Sequence, residues 1–432
     1  MLRILALILA FALLAENAQA QIAETEPTQE TATMTPLERR AEDIVLVLNQ
    51  QANTDEVFAP AFLQAIPEAQ LNQIAQQFTD QFGPALKVVE IDTRSDTAAA
   101  VTVRMERAIG RLNLSIESDR EGRINGLQLL EFTPVNDTVE QIRADLLALD
   151  GKVSAYFGPL DGGSPTLSIN AGAQMPLGSA MKLYVLGALG EEIAKGKRAW
   201  DDIVVLNTKS FPSGQMQDWP MGSPVTLHTF ASLMISTSDN TATDQLIRVL
   251  GRDRVEEYMR GTDHSAAALN TPWLTTRELF LIKGSSQQSL EAYSDGSPQL
   301  RAAIVGRLED NPATQDQINA KLAEGPVAIE TVEWFANSGD LAGLFRTMRT
   351  TSDPEAFRIM SINPGLPANA TEAWNYLGFK GGSETGVLNM TWLLTDAQGR
   401  DHLLTLSWAN SEAAVETQTL LLLAQRIVSL PQ

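Results

Sequence analysis

The sequence predicts a mixed α and β protein with two domains. Its 432 residues exceed what one hydrophobic core usually spans, and 44% of them are apolar, as in folded proteins. The apolar spacing changes from the helical period to alternation near residue 84 and again near residue 152. We therefore predict an α+β / α/β fold. A small N-terminal α+β domain has helices and then an antiparallel meander, and the larger domain has an antiparallel sheet flanked by helices plus an all-α lobe.

The composition excludes several classes of function. The chain has 32 Lys and Arg against 53 Asp and Glu, a net charge of −21. Nucleic acids are bound by clustered cations, so we expect no nucleic-acid partner. The chain has no cysteine and three histidines, which excludes disulfides and thiolate zinc sites and argues against a histidine-rich metal site. We therefore predict no metal and no cofactor.

Residues 1–20 predict a cleavable signal peptide. Arg3 precedes an apolar run from Ile4 to Ala15, and Ala18–Ala20 fits the small-x-small rule for signal peptidase. The run is short for a bilayer span, and an uncleaved N-terminal anchor is the alternative. We predict cleavage after Ala20, a periplasmic or secreted location and no stable membrane insertion afterwards. Residues 21–35 predict a flexible leader, because they are mostly Glu, Thr, Gln, Ala and Pro.

Residues 36–135 predict the small N-terminal domain. Thr35-Pro36 is a helix start with an N-cap and a proline in the first turn, and a second helix is predicted from Pro67 to Phe82. Alternating apolar residues then predict three or four strands, around residues 86–88, 99–103, 112–116 and 124–129. No catalytic constellation stands out here, and the acids and arginines predict solvated strand faces.

Residues 138–432 predict the second domain. Its elements are predicted, in order, as a helix, two strands, a buried helix, two more helices, a helical lobe, three strands and a C-terminal helix. The buried helix is expected from Gly178 to about Ala194. The lobe at residues 277–371 is either a lid over a site or a packing insertion, with helices expected near residues 299–308, 315–323 and 327–348.

A serine and a lysine three residues apart lie at the start of the buried helix. Ser179 and Lys182 share one face of this helix, and apolar residues surround the lysine. A serine at a helix start is commonly a cap, and Ser-x-x-Lys alone is a weak signal. A lysine in an apolar stretch is costly, however. A desolvated lysine that is neutral part of the time can take the proton of a serine hydroxyl without a histidine.

Two further motifs strengthen the weak Ser-x-x-Lys signal of Ser179 and Lys182. Ser238-Asp239-Asn240 lies between two predicted helices, and Lys380-Gly381-Gly382-Ser383 ends a predicted strand. Alone, the first would be a polar capping turn and the second a lysine beside a β-turn. The order Ser-x-x-Lys, Ser-Asp-Asn, Lys-x-Gly, with each motif on the element that such chemistry needs, is much harder to obtain by chance.

On these motifs, residues 138–432 resemble the penicillin-recognising serine enzymes, specifically the class A β-lactamase fold. Phe379–Ser383 and Asn270–Thr276 are most similar to one branch, the class-A-like serine hydrolases of clavulanic-acid gene clusters. Proteins of that branch carry a small steroid-isomerase-like domain in front, and the helices and meander of residues 36–135 are compatible with one. The resemblance implies a β-lactamase/transpeptidase-like second domain.

The resemblance also implies a role for each motif residue. Ser179 would be the acylated nucleophile, Lys182 its base, and Ser238 a proton relay between Lys182 and Lys380. Lys380 would attract the substrate carboxylate, and the backbone N–H groups of Ser179 and Ser383 would form the oxyanion hole. The implied substrate-binding residues are Asn240, Gly382 and Ser383.

Two departures from the class A pattern limit the implied activity. Gly381 stands where a hydroxyl residue usually follows the lysine, and Ser383 is a candidate to supply that hydroxyl. After Glu256 and Glu257, which we expect on a solvated helix face, no glutamate follows up to Trp273. Class A enzymes carry the glutamate that activates the deacylating water in this stretch. We therefore predict acylation by β-lactams, esters or amides, with slow deacylation.

Other functions remain open at the level of sequence. A D-Ala-D-Ala peptidase of the penicillin-binding type uses the same motifs, so the residues do not separate it from an esterase or a weak β-lactamase. A non-catalytic binding protein on this fold is a further alternative, although a pure binder has no need of a serine–lysine relay. A Ser-His-Asp hydrolase would need a Gly-x-Ser-x-Gly frame, which Ser179 lacks. The predicted partner is a small-molecule β-lactam, ester or peptide substrate, and the oligomeric state is left open.

Overall fold

The computed structural model describes residues 34–211, 213–308 and 315–430. The predicted signal peptide lies outside the described residues, and so does the leader apart from Met34 and Thr35. Within the described ranges, no helix combines the length and the apolar character needed to cross a bilayer.

The N-terminal part folds as helices followed by a four-stranded antiparallel sheet. Thr35 and Glu38 form a reciprocal capping box, so the first helix begins at Pro36 as the sequence predicts. Two short helices between the predicted ones, α2 and α3, are additions to the predicted set. The helices are α1 Pro36–Leu48, α2 Thr54–Val57, α3 Pro60–Ala65 and α4 Glu68–Phe82. The strands, in sheet order, are β1 Ala85–Ser95, β2 Ala98–Met105, β3 Ala108–Ile116 and β4 Ile124–Pro134.

A five-stranded antiparallel sheet forms the centre of the second part, and this mixed architecture confirms the predicted fold class. Two strands from the start of this part pair with three strands from its end, in the order β11-β12-β13-β5-β6. The five strands are β5 Lys152–Pro159, β6 Leu167–Ile169, β11 Tyr376–Glu384, β12 Val387–Thr395 and β13 Asp401–Ala409. Two small ribbons add β7 Met175–Pro176 with β10 Phe335–Ala336, and β8 Ile203–Val205 with β9 Pro224–Thr226.

Helices cover the sheet and build the lobe beside it. The helices that precede the lobe are α5 Val139–Leu147, α6 Lys182–Ala194, α7 Leu227–Ser236, α8 Asn240–Leu250 and α9 Arg252–Gly261. Those from residue 276 onward are α10 Thr276–Lys283, α11 Gln287–Ser294, α12 Pro298–Val305, α13 Gln315–Leu322, α14 Ser338–Thr351, α15 Glu355–Met360, α16 Ala368–Thr371 and α17 Thr417–Val428.

Two local predictions are wrong. The helix expected over residues 327–348 begins only at Ser338, because Asn337 caps it and Phe335–Ala336 pair as a short strand with Met175–Pro176. Glu256 is buried rather than solvated, since its carboxylate accepts a hydrogen bond from the backbone N–H of Trp273 at 2.9 Å. In both cases the deciding partner is distant in sequence, so local periodicity does not reveal it.

The buried helix α6 contacts α8, α9 and α14, which explains its unbroken apolar sequence. The C-terminal helix α17 packs against the five-stranded sheet, and its Leu422 also enters the N-terminal core. Arg426 of α17 is fully buried and pairs with Asp137 and Asp145. These contacts fix the elements around the candidate site.

Candidate active site

The three sequence motifs meet at the N-terminal end of α6. Gly178–Met181 form a 3₁₀ turn that leads directly into the α-helix at Lys182. Ser179 lies in this turn and Lys182 lies one turn further on the same face. Lys182 has no solvent exposure, because the helix that carries it is enclosed by other helices on almost every side.

The amine of Lys182 contacts four oxygen atoms. Its Nζ lies 3.1 Å from Ser179 Oγ, 3.1 Å from Ser238 Oγ, 2.7 Å from the Ser238 carbonyl oxygen and 2.8 Å from Asn240 Oδ1. The carbonyl and amide oxygens only accept hydrogen bonds, whereas the two hydroxyls can donate. A neutral amine has two N–H groups and one lone pair. It can donate to the two obligatory acceptors and use its lone pair to accept the proton of a serine hydroxyl.

The electrostatic environment favours this neutral amine. Burial lowers the pKa of Lys182 well below its ordinary value of 10.5, and the nearby charge of Lys380 lowers it further. The negative charges of Asp244 and Asp239 raise the pKa of Lys182, but the effect of burial is larger. The lowered pKa favours the neutral amine, which is the form that can accept a proton from a hydroxyl such as that of Ser179.

Ser238 lies between the two lysines. Its hydroxyl is 3.1 Å from Lys182 Nζ and accepts a hydrogen bond from Lys380 Nζ at 3.0 Å. The backbone of Ser238 has a φ of 58°, the left-handed conformation that non-glycine residues rarely adopt. Asp239 holds this turn by accepting backbone N–H groups of Gln215, Met216 and Ala242. Ser238 is thus fixed in a position from which a proton can pass between the amines.

Lys380 projects from strand β11 into the same cleft and is 3% exposed. Burial lowers the pKa of Lys380 to about 7. Besides Ser238, its Nζ donates to the carbonyl oxygen of Gly381. A lysine in this environment is protonated part of the time near neutral pH and can offer a positive charge to an anionic substrate.

Two glycines allow the nucleophile turn and strand β11 to approach each other closely. A Cβ on Gly382 would lie 2.0 Å from the carbonyl oxygen of Leu177 and 2.5 Å from the backbone nitrogen of Ser179. A Cβ on Gly178, which has a φ of +49°, would lie 3.0 Å from the backbone nitrogen of Ser383. The backbone nitrogens of the proposed oxyanion hole therefore lie on two segments in direct contact, and side chains at either glycine would separate them.

The substrate-binding residues predicted from sequence lie around this cleft. Asn240 is buried, and its two polar atoms contact Lys182 Nζ and the carbonyl oxygen of Phe211. One N–H of its amide is left for a substrate. Gly382 acts through its lack of a side chain, and the side chain of Ser383 is exposed at the end of β11. The structure thus brings Ser179, Lys182, Ser238, Asn240 and Lys380 into one hydrogen-bonded group.

The stretch that follows Asn240 uses its polar side chains for structure. Asn270 donates to the carbonyl oxygen of Phe335 and accepts from the same residue's N–H. Glu256 is held by Trp273 and Arg260. The hydrogen bonds of Lys182 end on hydroxyl, amide and carbonyl oxygens, and no carboxylate is among them.

The structure adds three charged residues that sequence reasoning missed. Glu333 accepts a hydrogen bond from the backbone N–H of Gly178 at 3.2 Å, directly before the nucleophile. Lys283 contacts both Glu333 and Glu384, and it is completely buried. Lys283 is in the last turn of α10, where a lysine is usually solvated and interacts favourably with the helix dipole. The sequence therefore gives no signal that this lysine is buried.

Comparison with known proteins finds one matching family and several similar solved structures. A family model described as "Beta-lactamase enzyme family" matches residues 137–321, which include Ser179, Lys182 and the Ser238–Asn240 motif. The predicted resemblance to β-lactamases is confirmed for these residues. The likeness to the hydrolases of clavulanic-acid gene clusters stays a prediction. The likeness of the N-terminal domain to steroid isomerases stays a prediction.

Solved structures are similar to about two thirds of the chain. A β-lactamase from Sphaerobacter thermophilus is 20% identical, covering 67% of this chain and 94% of that one, with a TM-score of 0.47. PBP-A is 16% identical over 67% and 92% of the two chains, with a TM-score of 0.45. A β-lactamase from Chitinophaga pinensis is 15% identical over 68% and 98%, with a TM-score of 0.43. No curated protein matches the chain.

Proposed function

We propose that this protein is an exported serine hydrolase that forms an acyl-enzyme on Ser179 with β-lactam, ester or amide substrates and releases it slowly. One observation carries the proposal. The Lys182 amine is fully buried 3.1 Å from the Ser179 hydroxyl, and two obligatory acceptors occupy its N–H groups. Burial lowers the pKa of Lys182, and the neutral form that this favours can take the proton of Ser179.

Acylation begins when Ser179 Oγ attacks the carbonyl carbon of the substrate and gives its proton to Lys182 Nζ. The bond from Oγ to the carbon forms, and the carbonyl electron pair moves onto oxygen. The backbone N–H groups of Ser179 and Ser383 donate to that oxyanion, and one such donor is typically worth about 3 to 4 kcal/mol of barrier. The substrate carbonyl must therefore enter between the 3₁₀ turn and strand β11.

Expulsion of the leaving group requires the proton to move on from Lys182. Ser238 Oγ receives this proton while giving its own to the leaving nitrogen or oxygen, and the bond from carbon to the leaving atom breaks. Lys380, 3.0 Å from Ser238 Oγ, stabilises the hydroxyl oxygen during the transfer. The relay returns Lys182 to its neutral form and leaves an ester on Ser179.

We expect slow release of the acyl group because polar side chains in the stretch after Asn240 are used for structure. Hydrolysis needs a group that removes a proton from water beside the ester carbonyl. The carboxylate of Glu256 and the amide of Asn270 are both engaged in structural hydrogen bonds. Lys182 contacts no carboxylate that could share this task with it. The acyl-enzyme should consequently persist after the leaving group has departed.

Intact mass spectrometry tests the proposal directly. The protein is mixed with a penicillin, a cephalosporin and a short acyl ester, and samples are taken from minutes to hours. We expect an adduct on the wild type, none on Ser179→Ala, and an unchanged adduct on Ser168→Ala, which alters an exposed serine of β6. Steady nitrocefin turnover at ordinary class A rates would contradict slow deacylation, and no adduct or turnover with any compound would favour the non-catalytic binder.

The substrate series also separates the penicillin-binding alternative, because release of D-alanine from an acyl-D-Ala-D-Ala peptide would identify a peptidase. Export is tested separately by N-terminal sequencing of protein recovered from the periplasm or the medium. We expect the mature chain to begin at Gln21.

A further inference from the structure

A second cluster of buried charges lies beside the nucleophile turn. It consists of Lys283 at the end of α10, Glu333 just before β10, and Glu384 at the end of β11. The side chains of Lys283 and Glu333 are 0% and 1% exposed, and that of Glu384 is 13% exposed. Lys283 Nζ lies 3.2 Å from Glu333 Oε1 and also bonds Glu384. Burying three charges is costly, and apolar residues of similar volume would often be as stable.

The cluster touches both backbone segments that supply the proposed oxyanion hole. Glu333 Oε2 accepts the N–H of Gly178, the residue before Ser179, and the carbonyl of Trp334 accepts the N–H of Leu177 at 2.8 Å. On the other side, Glu384 directly follows Ser383 in strand β11. Lys283 links the two carboxylates, so the cluster joins the nucleophile turn to the strand that lies across from it.

The net charge of the cluster depends on whether Glu384 is protonated. Glu333 and Glu384 both bond the amine of Lys283, so their two carboxyls lie beside a single cation. Burial raises the pKa of Glu384 well above its ordinary value, although Lys283 opposes this effect. Burial also disfavours the charged form of Lys283, but the two carboxylates raise its pKa instead. Lys283 compensates one carboxylate, so the cluster is neutral while Glu384 is protonated and has one net negative charge after Glu384 ionises.

Lys283 and Glu333 are the charged groups that face Glu384 in the described structure. Strand β12, which pairs with this end of β11, places Val387 opposite Glu384. The 3₁₀ turn Gly178–Met181 packs against β11, and none of its residues carries a group that titrates between pH 6 and pH 10. Lys380 lies four residues earlier on the same strand and faces Ser238.

We propose that Lys283, Glu333 and Glu384 form a positioning cluster that holds the two oxyanion-hole segments together and keeps their surroundings free of net negative charge during acylation. This inference rests on the proposed function, because the oxyanion arises when Ser179 attacks a carbonyl. A negative charge beside that oxyanion would slow its formation, so acylation should fall when Glu384 loses its proton. These residues act through the backbone and not by touching the substrate.

The test compares the saturating acylation rate constant and the half-saturation concentration from pH 6 to pH 10, using benzylpenicillin and nitrocefin with quenched samples for mass spectrometry. We expect the wild-type rate constant to fall about tenfold as pH rises and Glu384 loses its proton, since one added charge acts over a short distance. Glu384→Gln and Glu333→Gln should each lack this fall, because the charge of Lys283 compensates the one remaining carboxylate and no second carboxyl is left to ionise beside it.

Glu333→Ala removes the acceptor for Gly178 and should slow saturating acylation about 100-fold with an unchanged half-saturation concentration, as misplaced groups do. Glu330→Gln, an exposed acid three residues away, is the matched control and should change neither quantity. The two glutamine variants serve as the test if the alanine variant does not fold. The same alkaline fall in the wild type and both glutamine variants overturns this inference alone. A wild type that no compound acylates overturns the proposed function as well.

Discussion

Two buried lysines of this protein have opposite electrostatic environments. Lys182 and Lys283 are both fully buried, and both lie at helix ends near the nucleophile. Lys182 contacts hydroxyl, carbonyl and amide oxygens, and its pKa falls well below 10.5. Lys283 contacts two carboxylates, and its pKa rises. Burial alone therefore does not make a lysine a base, because the charge of its partners decides whether it keeps its proton.

Lys182→Met gives the largest expected effect on chemistry. It removes the proposed general base while keeping a side chain of similar length, so acylation should slow by about 10² to 10⁴-fold. The free energy of unfolding should not fall by a comparable amount, because the hydrogen bonds of Lys182 go to uncharged oxygens and none of its partners is left as an unpaired charge. Stopped-time mass spectrometry and a thermal melt measure the two quantities. Acylation within tenfold of the wild type would exclude Lys182 as the base.

Lys283→Met should instead reduce folding stability. It leaves Glu333 and Glu384 buried without a cation, and breaking a buried ion pair in this way typically costs about 3 to 5 kcal/mol. The loss should shrink as pH falls, because protonation removes the uncompensated charge. Chemical denaturation at several pH values measures it. Lys152→Met, which breaks an exposed pair with Glu330, is the control and should cost less than about 1 kcal/mol.

Asn240→Asp would give Lys182 the kind of partner that Lys283 has. A carboxylate placed where Asn240 Oδ1 now lies, 2.8 Å from Lys182 Nζ, should raise the pKa of the lysine. An adjacent opposite charge shifts a pKa by about 1 to 3 units, so acylation at pH 7 should fall about 10 to 10³-fold and recover at higher pH. Asn240→Ala removes the contact without adding charge. If both variants show the same pH profile, partner charge does not control Lys182.

Lys380 gives the smallest expected effect, which is a pH dependence of affinity. Its pKa of about 7 means that its charge is lost as pH rises through neutrality. The affinity for a β-lactam carboxylate should fall about tenfold between pH 6 and pH 8, following the protonated fraction of the amine. The half-saturation concentration of acylation measures this, and a wild-type value that does not change with pH would contradict it. In Lys380→Met, affinity should be weak at all pH values.

The same pKa has a consequence for stability with a definite sign. Between about pH 7 and its ordinary pKa of 10.5, Lys380 binds fewer protons in the folded state than in the unfolded state. The contribution of this residue to folding stability therefore improves as pH rises through that window. Comparing urea denaturation of the wild type and Lys380→Met across the window isolates this contribution.

The sequence allowed much of this site to be predicted because its motifs are local. Ser179 and Lys182 are three residues apart on one helix, and Ser238 and Asn240 lie in one turn, so their proximity follows from backbone geometry. Lys380 was placed with them by the order of the motifs and by the family resemblance. The solvated position expected for Glu256 was wrong, since a partner 17 residues away, Trp273, holds its carboxylate inside.

By itself, the sequence determined the fold class, the apolar helix that must be buried, and the motifs that contain Ser179, Lys182, Ser238 and Lys380. Only the tertiary structure decided which buried lysine has a lowered pKa and which a raised one. Lys283 meets carboxylates that are 50 and 101 residues away in the chain, whereas Lys182 meets uncharged oxygens. A pKa depends on the groups that surround an ionisable atom in space, and those groups are brought together by folding rather than by local sequence.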